Sequence, residues 1–276
     1  MERPEDIARA LEQRAKDTLP SVYFDPIHYD VLTQMTAPDD VPFYRALVEE
    51  HGGPVLELGC GTGRVCLELA RGGTEVVGVD LSPAMLETAR TRATSEGLGV
   101  TLALGDIRSF ELDQTFGLVI IAFNTFNHML EDAAVSDCLA AVRRHMNASS
   151  RLVIDTFQPS LKFLGDEPEK RRKLLRYLDP YLKKEIVLSE ENHYEPATQL
   201  NRIVWSYAVD GVEDARIDEL TMRLFFPREL DAWIERSGLV IEEKYGDYDR
   251  HPFDSKSPKQ LMICRLPDAP EPGEKG

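Results

Sequence analysis

The stretch VLELGCGTGR, residues 55 to 64, decides the fold. A short apolar run gives way to glycine at every second position, Gly59, Gly61 and Gly63, followed by Arg64 and a helix-like continuation. Glycines at the end of a strand permit a tight turn and close approach of a ligand to bare backbone. The exposed N–H groups of a following helix favour a negatively charged or hydrogen-bonding group. The spacing disfavours two familiar nucleotide sites. A dinucleotide fingerprint needs G-x-G-x-x-G, whereas the third glycine here falls one residue early, and no Gly-Lys-Ser/Thr follows to make a P-loop.

Outward from that bend, strand and helix alternate from residue 54 to about 156. PVLEL, EVVGVD, VTLAL, GLVIIA and RLVIDT are short, β-branched and nearly continuously apolar, as suits strands buried on both faces of a parallel sheet. Ser82 as N-cap and Pro83 at the first helical position open a helix with Met85, Leu86, Ala89 and Ala93 along one face. Asp132 caps another, with Val135, Cys138, Leu139, Val142 and Met146 at helical spacing. The pattern predicts an α/β, Rossmann-like, doubly wound sheet of about seven mostly parallel strands.

The flanks have a different texture. Residues 1–41 read as a lid, with an amphipathic helix over 4–18 and then the aromatic segment VYFDPIHYD. The core starts at Pro42, which opens a helix burying Phe43, Ala46 and Leu47, and runs over 42–158. Residues 159–226 read as an insertion after the fifth strand. A basic helix over 160–184 precedes three antiparallel strands, KEIVLSEENHY, LNRIVWSYAVD and ARIDELTMRLFF, with turns at Glu195-Pro196 and Asp210-Gly211. Residues 227–266 complete the core with a helix ending at Gly238 and the strands LVIEEKY and QLMICRL. The tail, 267–276, is rich in Pro, Gly, Glu and Lys and is expected to be disordered.

Composition narrows the partners. A net charge of -16 opposes binding to nucleic acid or anionic membrane and favours a small or cationic substrate. No apolar run approaches the ~20 residues of a membrane span, and a signal peptide is not expected, so the chain is expected to be cytoplasmic. Four cysteines, Cys60, Cys66, Cys138 and Cys264, lack metal spacing and read as reduced, buried thiols. The basic run EKRRKLLRYLDPYLKK, with Arg171, Arg172, Lys173, Arg176, Lys183 and Lys184, reads first as a solvated helix face and second as an anion or RNA site.

Asp80 ends the second strand 17 residues beyond Gly63, where an acidic side chain can accept two ribose hydroxyls, and GDIR follows the third strand at 105–108. LELGCGTGR, VVGVDLS and LGDIR, followed by FGLVIIAFNTFNHM, resemble the class I S-adenosylmethionine-dependent methyltransferases, in particular those acting on nitrogen in amino sugars, glycine-type amines and antibiotic precursors. The resemblance covers residues 54 to about 156. It implies S-adenosylmethionine as cofactor, S-adenosylhomocysteine as product and no metal. By that resemblance Gly59, Cys60, Gly61, Thr62 and Gly63 meet the amino acid and ribose portions of the cofactor, bordered by Glu57 and Arg64. Asp80 holds the ribose hydroxyls and Leu81 and Met85 pack on the adenine, which Gly105, Asp106 and Ile107 read. The Ala122 carbonyl and neighbouring Phe123 face the methionine end, and Tyr23 and Tyr29 close over the sulfonium.

The sulfonium already activates the methyl group, so the reaction asks chiefly for alignment, desolvation and, for some acceptors, a base. His128 is the candidate base and Tyr29 its companion at the reacting centre. Asn124, Phe126 and Asn127 after the fourth strand, with Trp205 and Arg223 from the insertion, are candidate acceptor contacts. Tyr207, Met222 and Phe225 are further candidates for the insertion's inner face. An Asn/Asp-Pro-Pro-aromatic motif, usual for base-directed amino-methyltransferases, is replaced here by AFNTFNH. The function expected is methyl transfer to a small molecule, with nitrogen favoured over oxygen. The alternatives are an O-methyltransferase with His128 as base, a non-catalytic adenosyl-ligand module and, less favoured, a nicotinamide dehydrogenase. Pairing of chains through the exposed strands of the insertion is the expected mode of any homo-oligomer.

Overall fold

The computed structural model describes residues 4–36, 39–160, 164, 170–181 and 183–268. Most of the tail, and residues 161–163, 165–169 and 182 of the stretch 160–184 expected to be a basic helix, therefore lie outside the described residues. The described strands form two sheets. The larger has seven strands, in the spatial order 240–245, 259–265, 146–157, 116–121, 55–58, 76–80 and 100–104. Its parallel heart is β1 (Val55–Leu58), β2 (Val76–Asp80), β3 (Val100–Leu104), β4 (Phe116–Ile121) and β5 (Met146–Phe157). Two later strands, β10 (Val240–Tyr245) and β11 (Lys259–Arg265), finish one edge, with β11 antiparallel to both of its neighbours.

Near-continuous apolar sequence in these strands has the expected consequence. Alternate residues enter different cores on the two faces of the sheet. Leu56, Leu58, Val119, Ile121, Leu152 and Ile154 pack with Val135, Leu139 and Val142 of α6 (Asp132–Arg144) and with Leu230, Trp233 and Ile234 of α7 (Pro227–Arg236). Val55, Leu118, Ile120 and Val153 pack on the other face against α3 (Val41–His51), α4 (Cys66–Arg71) and α5 (Pro83–Glu96). The sheet is thus doubly wound, and all four cysteines are buried free thiols. The Ser82 hydroxyl accepts the Met85 N–H and caps α5 as its sequence predicts. Glu131, rather than Asp132, precedes α6, and its side chain closes no capping bond.

The second sheet lies between β5 and α7 and has four strands, β6 (Arg172–Leu178), β7 (Glu185–Glu195), β8 (Leu200–Val209) and β9 (Val212–Arg223), all antiparallel. The helical reading of the basic run therefore fails over 172–178. RKLLRYL is a strand paired with β7, Tyr177 opposite Ile186 and Leu178 opposite Glu185. Its Tyr177 turns into a core with Ile186, Leu188 and Tyr207, and Val22 and Leu32 from the N-terminal part of the chain cover that core. Burial of one strand face outweighed local propensity.

Ahead of α3 come α1 (Pro4–Thr18), a 3-10 turn (Ser21–Phe24) and α2 (Pro26–Thr36). The aromatic segment is thus mostly helical. It bridges the two sheets: Ser21 Oγ donates to Asp218 of β9, and Ser82 Oγ donates to the Tyr23 carbonyl at 2.6 Å. His28, without an evident partner in the sequence, sits between Asp25 (Nδ1 to Oδ2, 2.6 Å) and Asp179 (Nε2 to Oδ2, 2.8 Å). Among the described residues no helix is long and apolar enough to cross a membrane.

Phe126 ties the two sheets together, fully buried with its ring 5.1 Å from that of Phe225 at the end of the insertion. Phe126→Ala is expected to cost about 3–5 kcal/mol in a urea unfolding experiment, as for other buried aromatics; a loss below about 1 kcal/mol would contradict its place in the core.

Candidate active site

The carboxyl ends of β1, β2 and β4 open into a cavity of about 630 Å³, roofed by the 3-10 turn, α2 and β9. This is where an open α/β sheet binds ligands, and the size suits a nucleoside-sized ligand with a small partner. Tyr23, Tyr29, Gly59, Gly61, Asp80, Leu81, Met85, Asp106, Ile107, Phe123 and His128 all line it. A smaller adjoining recess shares Tyr29, Gly59, Gly61 and Phe123, and adds Glu57, Cys60, Thr62, Arg64 and Ala122.

The three glycines do different work. Gly59 has φ 73°, and a Cβ there would stand 2.4 Å from Thr125 Cγ2, so the strand-end turn and the loop after β4 touch only because no side chain intervenes. Gly61, at φ 54°, faces open space and presents bare backbone to the cavity. Gly63 differs from its expected role: its missing Cβ makes room for Leu67 at 2.8 Å and so serves helix packing. Gly105 likewise relieves contact with Val79 and does not line the cavity.

Asp80 accepts the Gly61 N–H on Oδ2 and the Ser82 N–H on Oδ1, both at 2.8 Å. Each oxygen keeps acceptor capacity toward the cavity, as a pair of ribose hydroxyls requires. Burial raises its pKa, although the backbone N–H groups oppose that. Two aspartates from the N-terminal segments brace the glycine loop. Asp30 accepts from Thr62 Oγ1 at 2.6 Å and pairs with Arg92, while Asp40 holds Arg64 bidentately and Arg64 lies over the Phe123 ring at 5.2 Å. Glu57 caps α4 by accepting the Cys66 N–H at 2.8 Å, and burial pushes its carboxyl up to about 8 against the attraction of Arg64.

Asp106, expected to read an adenine, is more heavily engaged than that role implies. It accepts from the N–H and guanidinium of Arg108 and pairs with Arg14 of α1 at 2.9 Å. Burial favours its neutral form, yet Arg108 and Arg14 outweigh it and hold the carboxyl below the usual carboxylate range. An exocyclic amine must share or displace one of those donors.

Over the other end of the cavity Tyr23 and His128 meet, hydroxyl to Nε2 at 2.8 Å, with Tyr29 packed 5.7 Å from Tyr23. Burial depresses the His128 pKa to about 4 and raises both tyrosines. The imidazole is therefore neutral near pH 7 and joins the cover to the loop after β4.

The expected acceptor contacts are placed elsewhere. Phe126 is core. Asn127 is fully buried and donates to the Arg223 carbonyl at 2.7 Å. Asn124 adopts φ 65° and accepts the Phe157 N–H on its side chain, which holds the turn. Trp205 bonds Glu190 across β7 and β8, and Arg223 pairs with Asp132 and Glu229 beneath Phe225 and Trp233. None of the five lines the cavity. That side of the wall comes instead from Asp17 to Pro20, Met129 to Glu131 and Glu219 to Thr221. Each stretch carries one acidic residue, Asp17, Glu131 and Glu219, and no motif in the sequence marks them. Among the described residues no group of acidic, histidine and cysteine side chains could hold a metal ion.

Residues 55–149 match the family model described as a methyltransferase domain. The cypemycin N-terminal methyltransferase of a Streptomyces species is 31% identical over 147 residues, 51% of this chain and 58% of that protein. A demethylmenaquinone methyltransferase of Tropheryma whipplei is 30% identical over 175 residues, 63% of this chain and 64% of that protein. The chain thus spans less than two thirds of the length of these curated relatives. Among solved structures, the CcbJ methyltransferase of Streptomyces caelestis shares 28% identity with a TM-score of 0.71, covering 84% of this chain and 91% of that one. An amino pentose methyltransferase of Micromonospora echinaspora, at 21% identity and TM-score 0.65 over 86% and 96% of the two chains, has the same fold.

Gly59→Ala places a methyl group on Thr125 at a positive φ, and is expected to weaken adenosyl-ligand binding by roughly tenfold or more in calorimetry; unchanged affinity would contradict the tight approach of the two loops. His128 has a folded pKa of about 4 against about 6.5 unfolded, so its contribution to stability is present above about pH 6.5 and lost as pH falls toward 4. Wild type should lose more stability between pH 7.5 and 5 than His128→Gln in denaturant titrations; equal losses would refute the buried neutral imidazole.

Proposed function

We propose that the chain, whose residues 55–149 match a methyltransferase domain, is a class I S-adenosylmethionine-dependent methyltransferase that transfers the methyl group to an amine nitrogen of a small molecule. The observation that carries the nitrogen preference is the state of His128. A hydroxyl acceptor needs a base of useful strength at the reacting oxygen, and an imidazole depressed to about 4 is a weak one. An amine brings its own lone pair once its proton has left to solvent. The cavity charge agrees: Asp17, Asp80, Asp106, Glu131 and Glu219 line it, and among the described residues its single lining Lys or Arg, Arg108, is bound to Asp106. Such walls favour an ammonium over an anionic acceptor.

The open backbone at Gly61 and the outward acceptor capacity of Asp80 suit the cofactor. Asp80 takes the ribose, Leu81, Met85 and Ile107 flank the adenine, and the recess by Glu57, Thr62 and Ala122 takes the methionine end. Bound S-adenosylmethionine supplies a methyl group made electrophilic by its sulfonium. The chain's work is placement and exclusion of water. Tyr23 and Tyr29 present ring faces and hydroxyls to the cationic centre. His128 fixes the Tyr23 hydroxyl by accepting its hydrogen bond in the Nδ1-protonated tautomer. Glu219, Leu220 and Thr221 of β9 close the acceptor side, which confines the acceptor to small molecules. The chain's similarity to a relative named as an N-terminal methyltransferase supports nitrogen as the target.

The test is transfer of a labelled methyl group to small amines and to their matched alcohols. Label should appear on amines alone, and His128→Gln should keep kcat within about tenfold of wild type. Label on the alcohols, with a loss of about a hundredfold or more in His128→Gln, would overturn the nitrogen reading in favour of a hydroxyl acceptor with His128 as base.

A further inference from the structure

A buried carboxylate outside the cavity has as many donors as any group that lines it. Asp155, at the end of β5, is fully buried and accepts four hydrogen bonds. On Oδ2 it takes the Tyr44 hydroxyl (2.9 Å), the Tyr248 hydroxyl (2.6 Å) and the backbone N–H of Phe123 (3.1 Å); Lys259 Nζ reaches Oδ1 at 2.9 Å. Its own carbonyl accepts the Asn124 N–H at 3.0 Å. The two residues it grips are the consecutive non-glycine residues Phe123 and Asn124, at φ 45° and 65°. Left-handed conformations of that kind are strained and persist only where surroundings over-determine them.

The consequence reaches the cavity through the chain. Phe123 lines both the main cavity and its recess, Ala122 lines the recess, and Thr125 presses on the bare Cα of Gly59. The loop that Asp155 holds is thus the wall against which the glycine loop is set. A carboxylate so placed is dispensable for a buried core as such, since charges taken from water carry a desolvation cost that apolar residues avoid. What it supplies is a fixed point for two backbone N–H groups, one through its side chain and one through its carbonyl.

We propose that Asp155, with Tyr44, Tyr248 and Lys259 as its supports, is a positioning residue that sets the loop after β4 at the distance from the glycine loop that ligand binding requires. The proposal rests on the cavity being the adenosyl-ligand site. It concerns a residue that touches neither the cavity nor a ligand in it.

The experiment is calorimetric titration of S-adenosylhomocysteine into wild type, Asp155→Asn and Tyr248→Phe, which separates affinity from the fraction of folded sites. With positioning, Asp155→Asn binds roughly tenfold or more weakly at each remaining site, and Tyr248→Phe, which keeps the ring and the fold, about threefold or more weakly. If Asp155 only stabilises the fold, stoichiometry and melting temperature fall while the Kd of the folded sites stays at the wild-type value in both variants, and the proposal is overturned. Should Asp155→Asn not fold, an unchanged Kd in Tyr248→Phe overturns it alone. Wild type that binds no S-adenosylhomocysteine would bring down the cofactor reading itself, and this proposal with it.

Discussion

Everything in the site depends on two loops meeting where there is no room for a methyl group. The turn after β1 and the turn after β4 come together at Gly59 and Thr125, with 2.4 Å between a hypothetical Cβ and the threonine methyl. That contact brings Gly61, Asp80 and Phe123 to the walls of one cavity. Each loop is then held by a carboxylate rather than by apolar packing. Asp80 takes the Gly61 N–H and Asp155 the Phe123 N–H. Apolar contact is non-directional, whereas a hydrogen bond to an ionised group fixes an atom in place. The sheet supplies stability and the carboxylates supply position.

The cover obeys a different rule. The segment from Ser21 to Thr36 is tied to the core and to the second sheet mainly by polar contacts, at Ser21, Tyr23, Asp25, His28 and Asp30. Its apolar anchors are Val22 and Leu32. Directional polar contacts, among them those to the buried Asp179 and Asp218, thus place the cover, while apolar burial holds the two cores of the sheet beneath it.

The core was legible in the sequence because its signal is local. Five apolar runs, Ser82-Pro83 at a helix start and alternate glycines each announce themselves within ten residues, and the strands fall within a few residues of their expected places. RKLLRYL was not legible. Its leucines and basic residues satisfy a helical period as well as a strand period, and only pairing with β7 decides between them. The acceptor side failed for a related reason. Asn124, Phe126 and Asn127 stand where a loop residue would meet a ligand, yet left-handed backbone at Phe123 and Asn124 turns the chain so that Asn124 braces β5 and Phe126 enters the core. Trp205 and Arg223 were placed on the insertion correctly, but which face of a strand meets the cavity is a tertiary fact. Asp155 carried no motif at all, since its importance lies in Tyr44, Tyr248 and Lys259 converging from distant segments.

The measurement that bears most directly on the whole account is calorimetric titration of S-adenosylmethionine and S-adenosylhomocysteine into wild type and Asp80→Ala, with a nicotinamide dinucleotide as control. The account predicts that both adenosyl ligands bind wild type, that binding collapses in Asp80→Ala while the variant remains folded, and that the dinucleotide does not bind. Preference for the dinucleotide, or adenosyl binding indifferent to Asp80, would contradict it.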